Sequence, residues 1–129
     1  MISVVLDASA LLAMLLREPG GESVKALLVR SCMTTVNIAE VAGYYAKQGV
    51  AEGDLRIVLD PLPIERVDFD EGLAFAAGML IPMTRRAGLS LGDRACLALA
   101  RRLGLPAVTA DRSWQNIADA VGVTVERVR

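Results

Sequence analysis

The stretch LSLGDRACLALARRLGLPAVTADRSW, residues 89–114, constrains the fold more than any other part of the chain. Its first half is amphipathic at helical spacing. It opens after Ser90, whose hydroxyl suits the free amides of a helix start, and ends at Gly104, which tolerates the left-handed residue that stops a helix. The second half, PAVTA (106–110), is a short apolar run of the kind found in strands covered on both faces. A helix that feeds almost directly into a buried strand is one link of an alternating β/α chain. Such chains build a mostly parallel sheet with helices on its faces.

The rest of the sequence repeats that alternation. ISVVL (2–6) predicts a buried strand ending at Asp7, followed by a helix through ASALLAMLLR that Pro19, Gly20 and Gly21 interrupt. ESVKALLVR (22–30) predicts a second helix, CMTT (32–35) a short strand, and NIAEVAGYYAKQG a helix starting at Asn37 and stopping at Gly49. EGDLRIVLD (52–60) is helical, the later part of PLPIERVD (61–68) a strand, and DEGLAFAAGML (70–80) a helix that stops before Pro82. A short helix through Trp114–Ala120 and a strand in VTVERV (123–128) end the series. Repeats, linkers and low-complexity segments are absent, so the expectation is one α/β domain over 1–129, its sheet mostly parallel with four to five strands.

With 53% hydrophobic residues among 129, the material for a substantial core is present. Asp7 divides the N-terminal apolar run and no basic residue precedes it, unlike a secretory leader. No segment reaches the ~18 uncharged apolar residues of a membrane span. Cys32 and Cys96 lack metal-type spacing and fit reduced core thiols, which together predicts a cytoplasmic protein without a membrane partner. Residues 1–79 hold 6 basic and 11 acidic side chains, whereas residues 80–129 hold 8 basic and 4 acidic ones. This C-terminal excess, largely arginine, is permissive for a polyanion partner.

Histidine is absent altogether. That excludes Ser-His-Asp and Cys-His triads, histidine acid–base catalysis and histidine-containing zinc sites. Any hydrolytic chemistry must rest on carboxylates. Four acids recur at equivalent junctions: Asp7 after the first strand, Glu40 and Asp93 in the first turns of helices, and Asp111 after PAVTA. Each also has a purely structural explanation. Asn37-Ile-Ala-Glu40 and Ser90-Leu-Gly-Asp93 match the capping box, and Asp7 and Asp111 can each cap the helix that follows.

If the strands ending at Asp7 and Asp111 are neighbours, all four acids reach one cleft at the carboxyl edge of the sheet, where α/β folds collect ligands. Two unit charges about 4 Å apart then repel by about 4 kcal/mol at an effective dielectric near 20, which calls for a cation. An all-oxygen donor set selects Mg2+ or Mn2+, ions that activate water toward a phosphodiester. Ser9 and Thr109 are placed to bond the carboxylates or a phosphate oxygen. Asn37 is divided between cap and site, and Arg94 and Arg112 between substrate phosphates and solvent.

VVLDASALLAMLLREPG, TTVNIAEVAGYYAKQG, AGLSLGDRACLALARRLGLPAVTADRSW and GVTVERVR, in this order, resemble the PIN-domain family, and within it the VapC-type toxins of bacterial toxin–antitoxin pairs. The likeness spans nearly the whole chain. It implies a three-layer α/β/α fold, a usual dimer, and a metal-dependent endoribonuclease. The family's four-acid site falls on Asp7, Glu40, Asp93 and Asp111, with Ser9 as its small hydroxyl residue. The resemblance further implies a VapB-type antitoxin that covers the site, and transfer or ribosomal RNA as the substrate class. Products would carry a 5′-phosphate and a 3′-hydroxyl.

Other classes fit less well. A catalytically silent module that binds RNA or the antitoxin stays open. A phosphatase would need a second aspartate in the first strand's D-A-S, and a phospho-accepting receiver a lysine after a late strand, where only Lys25 and Lys47 exist. A base-stacking RNA-binding fold is poorly supplied by 4% aromatic residues. The apolar helices ALLAMLL and AEVAGYYA exceed what a small core is expected to bury, which predicts a homodimer. Trp114 is expected to pack the last helix onto the sheet.

Overall fold

The computed structural model describes residues 1–129 and has five strands in one sheet, all parallel. In chain order these are β1 (Val4–Leu6), β2 (Ser31–Thr34), β3 (Glu65–Val67), β4 (Ala107–Thr109) and β5 (Val125–Arg127). Their spatial order is β3-β2-β1-β4-β5. The chain builds outward from β1 through β2 to β3, then returns to add β4 and β5 on the other side. The strand order therefore reverses between β1 and β4, the position where parallel α/β sheets open a crevice beyond their carboxyl ends.

Alternation along the strands separates two cores. Val5, Cys32 and Ala107 face one side, where they meet Leu73 and Ala77 of α5 (Glu71–Met79) and Leu97 of α7 (Leu91–Leu103). Val4, Leu6, Met33 and Val108 face the other. There they meet Leu11 of α1 (Ala8–Leu15), Val24 of α2 (Gly21–Leu27) and Val41 of α3 (Thr35–Ala46). This is the three-layer α/β/α arrangement. The central strands are wholly buried and read as unbroken apolar runs, while the edge strands carry Glu65 and Arg66 or Glu126 and Arg127, charges that discourage edge pairing.

Between β2 and β3 lie α3 and α4 (Glu52–Leu59); α6 (Ile81–Thr84) and a 3-10 turn (Arg85–Ala87) lead into α7. After β4 come a 3-10 helix (Arg112–Asn116) and α8 (Ala118–Val121). Trp114 is wholly buried against α7 and α8. Cys32 and Cys96 are free and buried, and burial pushes the Cys32 thiol up to about 11 and that of Cys96 well above its ordinary range. Both stay protonated and inert. No helix is long and apolar enough to cross a membrane.

Two sequence-based boundaries move, and one holds with a new element directly after it. The third helix starts at Thr35 with Thr34 as its cap, two residues before Asn37, because the Thr34 hydroxyl accepts from the Asn37 amide. The helix over 70–80 does stop before Pro82, since α5 ends at Met79; Pro82 belongs to the next element. It lies in the first turn of α6, where its missing N–H breaks no helical bond. The expected helix at Trp114–Ala120 is split into the 3-10 helix and α8. The first and third helices bury their apolar side chains only in part, and the third lines an open apolar groove with Ile38 and Val41. In α1, Ala8, Ala10, Leu11 and Ala13 are buried, and Leu12, Met14 and Leu15 are half-buried. Large exposed apolar side chains also lie on α5 and α6, with Phe75 at 70% and Met79 at 66% of full exposure and Ile81 and Met83 beside them in sequence.

Candidate active site

Asp7 closes β1 and opens α1. Its backbone is extended and its carboxylate accepts from the Ala10 amide at 2.8 Å, the bond of a helix N-cap. In the β1–β4 register Leu6 pairs with Val108, so Asp7 comes level with Thr109. The Thr109 hydroxyl donates to Asp7 Oδ2 at 2.6 Å and accepts from the Asp111 amide at 3.0 Å. Ser9 Oγ donates to Asp7 Oδ1 at 2.8 Å and accepts from the Ala110 amide at 2.9 Å. Each hydroxyl has one proton, and both protons point at Asp7, so the 3.2 Å approach of Ser9 to Thr109 is a contact between acceptors. Two hydroxyls thus lace β1 to β4 through one carboxylate. Asp7 is only 3% exposed, and burial outweighs the three donors to raise its pKa to about 6.

The other three acids are held differently. Asp93, in the first turn of α7, completes a capping box: Ser90 Oγ accepts from the Asp93 amide at 3.1 Å and Asp93 Oδ2 accepts from the Ser90 amide at 3.0 Å. Its Oδ1 has no protein partner. Asp111 caps the 3-10 helix through Oδ1, which accepts from the Ser113 amide at 2.9 Å and its hydroxyl at 2.8 Å, leaving Oδ2 without one. Glu40 Oε1 accepts from Asn37 Nδ2 at 2.9 Å, and Oε2 is unpartnered. Capping and site membership are therefore compatible: one oxygen tethers each rim acid and its twin stays available.

All four acids line a single cleft of about 510 Å³ together with Ser9. Their charges are coupled. Partial burial, then the neighbouring Asp111, raises Asp93 against the opposing Ser90 bonds. Partial burial, then Asp93, raises Glu40 against its bond from Asn37. No group of three or more is gathered tightly enough to form a finished coordination shell. The donor set nonetheless suits a hard divalent cation: all its atoms are oxygens, three are unpartnered, and like charges share the cleft.

Of the supporting residues, Asn37 is wholly buried. Besides orienting Glu40, its amide donates to the Gly92 carbonyl at 3.0 Å and its Oδ1 accepts from the Thr34 hydroxyl at 2.8 Å. It fastens α3 to α7. Glu40 lies in the second turn of α3, so the capping box expected at Asn37–Glu40 does not form. Arg94 and Arg112 do not line the cleft: Arg94 donates to the Ala77 carbonyl at 3.1 Å, tying α7 to α5, and Arg112 is exposed.

Three cleft features escape a sequence reading. Tyr44 and Lys47 line the cleft from the same face of α3 as Glu40, at i+4 and i+7, a spacing that could have found them. Gly92 leaves the space that the Glu40 carboxylate occupies, and a Cβ there would displace that carboxylate. No local pattern marks that role, since Glu40 is 52 residues away.

The family model described as the PIN domain matches residues 4–120. A comparison with curated proteins finds no significant match. Among solved structures, the DNA-bound VapBC of Salmonella typhimurium is similar at 22% identity with a TM-score of 0.74, covering 100% of both chains. A toxin–antitoxin complex from Klebsiella pneumoniae is similar at 18% identity and TM-score 0.73, with 98% of each chain covered. VapBC2 of Rickettsia felis, bound to a DNA fragment from its promoter, is similar at 19% identity and TM-score 0.67, again over 98% of each. At such identities the likeness establishes a shared fold.

Proposed function

The chain belongs to the PIN-domain family, and from that premise we propose that it is a divalent-metal-dependent endoribonuclease, the toxin of a VapBC-type pair. One observation carries the proposal: four carboxylates line one cleft where the strand order reverses, and three of them keep an unpartnered oxygen. Mg2+ or Mn2+ held by Asp7, Asp93 and Asp111, with Glu40 completing the charge, would supply acidified water and neutralise charge on the departing oxygen.

The chain's own residues have distinct tasks. Ser9, Thr109 and the Ala10 amide hold Asp7 in one orientation at the cleft floor. Asn37 turns Glu40 so that Oε2 is the atom free to take a proton from an attacking water. Partial burial makes that carboxylate a stronger base than a solvated glutamate. Water adds to phosphorus and the bond to O3′ breaks, giving a 5′-phosphate and a 3′-hydroxyl.

The partner in this reading is a VapB-type antitoxin. An apolar groove of about 470 Å³ between α3 and α4, lined by Met33, Ile38, Val41, Leu55 and Leu59, supports a docking segment that is apolar along one face. The exposed α5–α6 surface supports a homodimer through that face. The substrate is transfer or ribosomal RNA in the cytoplasm, and residues 1–129 act as one PIN domain. A second reading, a catalytically silent module that binds RNA or the antitoxin, draws on the lack of a finished coordination shell.

Cleavage of total RNA by wild type and by Asp7→Asn, Glu40→Gln, Asp93→Asn and Asp111→Asn, with Mg2+ and with EDTA, decides between them. Products from wild type with Mg2+ alone are expected. Equal activity in every lane would overturn the nuclease, and RNA binding without products would favour the silent module.

A further inference from the structure

A second concavity, of about 820 Å³, opens between the 3-10 turn Arg85–Ala87 and the 3-10 helix Arg112–Asn116. Its polar lining comes from Arg85, Arg86, Ser113 and Asn116 above a floor that includes Pro82 and Ile117. No acidic residue lines it. Neither guanidinium and not the Asn116 amide has a hydrogen-bond or ion-pair partner in the chain, unlike Arg56, Arg66, Arg94, Arg102 and Arg129.

Its position gives these groups a use. The 3-10 turn runs into α7, which presents Asp93 three residues after Ser90. The 3-10 helix is the one that Asp111 caps. Ser113 is shared: it lines the concavity and donates twice to Asp111 Oδ1. The basic concavity thus adjoins the acid cleft through the 3-10 helix that Asp111 caps, and its arginines lie a few residues before the start of α7. A cleft built of carboxylates repels the polyanion it would cut, so its substrate needs cationic contacts beside the reacting phosphate.

We propose that the Arg85–Arg86 concavity is a substrate subsite that binds a backbone phosphate of the RNA strand next to the scissile one. The inference rests on the nuclease reading for the identity of the strand. The paired guanidiniums offer the forked donors that phosphate oxygens accept. Asn116 supplies a further donor, and the apolar floor gives an unpaired nucleotide a surface to lie on. Arg85 and Arg86 would act as positioning residues, drawing the strand across Asp93 and Asp111 without touching the reacting atoms.

The test measures anisotropy of a fluorescein-labelled single-stranded RNA 12-mer of mixed sequence, in EDTA over a range of salt, with gels showing that the RNA stays intact. Wild type is compared with Arg85→Gln/Arg86→Gln and with Arg30→Gln/Arg101→Gln. The latter pair changes charge equally at the opposite edge of the sheet, before β2 and at the end of α7. The expected result is roughly tenfold weaker binding for the concavity variant and a shallower salt dependence, by about 0.7 per lost phosphate contact. The control should match wild type. With Mg2+, the concavity variant should raise KM about tenfold while kcat stays within about threefold.

Equal losses in both double variants, or none in either, would overturn the subsite, as would a wild type that does not bind the 12-mer. The nuclease reading fails separately. RNA that binds with the expected salt dependence, yet is never cut with Mg2+, would leave the subsite in place and remove the catalysis.

Discussion

At the floor of the cleft, where β1 and β4 end side by side, Asp7 accepts bonds through both oxygens and is shut away from water. On the rim, Glu40, Asp93 and Asp111 each accept through one oxygen. Floor and rim differ in what carries the acid. Asp7 and its two hydroxyl donors stand on adjacent strands in fixed register, so their geometry follows from the sheet. Asp93 and Asp111 are held through one oxygen by the caps of their helices, and Glu40 through one oxygen by the Asn37 side chain. A site assembled this way is rigid where charge is most costly to bury and adjustable where a cation or substrate would arrive. The difference teaches that a single acidic residue can cap a helix and serve a site, provided the two tasks use different oxygens.

The largest effect expected of this division is on chemistry. Asp7→Asn should lower RNA cleavage with Mg2+ by about 10²-fold or more, the scale on which loss of a group acting directly on the reaction is felt. Retention of wild-type rates would break the distinction at its root.

A second prediction concerns stability. The folded pKa of Asp7, about 6, lies above its ordinary 3.8. The folded chain therefore keeps a proton that the unfolded chain releases. The stability linked to this group is fully present below about pH 4 and is lost as the pH rises through about 6, amounting to roughly 3 kcal/mol. In EDTA, Asp7→Asn cannot ionise, so its stability relative to wild type should increase between about pH 4 and 7. Chemical denaturation across that range measures the gap, and a gap independent of pH would show that burial of the charge carries little cost.

Thr109→Val tests the lacing of floor to strand. It keeps the side chain's shape but removes the donor to Asp7 and the acceptor for the Asp111 amide. A loss of about 1–3 kcal/mol is expected. Valine tolerated without cost would mean that water replaces both bonds.

Gly92→Ala sharpens the comparison from the rim side. The added methyl would push against the mobile end of Glu40, and alanine favours a helix by about 0.5–1 kcal/mol, so stability should change little. Cleavage should still fall about tenfold as Glu40 leaves its place beside Asn37. An unchanged rate would show that Glu40 needs no fixed position. The smallest effect on the site is expected from Phe75→Ser with Met79→Ser. These changes should shift light scattering from dimer to monomer and leave the cleft intact. A wild type that is already monomeric would remove the dimer proposal.

Much of the architecture was legible because the signals were local. Ser90, Asp93 and Gly104 announce α7 within 15 residues, and the apolar runs at Val4–Leu6 and Ala107–Thr109 announce buried strands. Asp7 and Asp111 were legible as strand ends. Asn37 was misplaced as a helix cap because Thr34, Thr35 and Asn37 are all good caps. Only packing against α7, with the Asn37 amide on the Gly92 carbonyl, selects Thr34. The apolar surplus was assigned to α1 and α3 by composition. Composition cannot distinguish a helix face covered by neighbours from one left open, and open apolar surface lies on α5 and α6 as well as along the α3–α4 groove.

The order of residues alone determined that strands and helices alternate, that each candidate acid follows a strand or lies near a helix start, and that histidine chemistry is excluded. These are consequences of side-chain type and spacing along one stretch of backbone. Tertiary structure decided that β1 and β4 are neighbours, and with that the bonds from Thr109 to Asp7, the meeting of Glu40 with Gly92, and the approach of Arg85 and Arg86 to Ser113. These meetings join residues 27 to 102 positions apart. They depend on which strand inserts beside which, a choice made by burying both faces of the sheet at once.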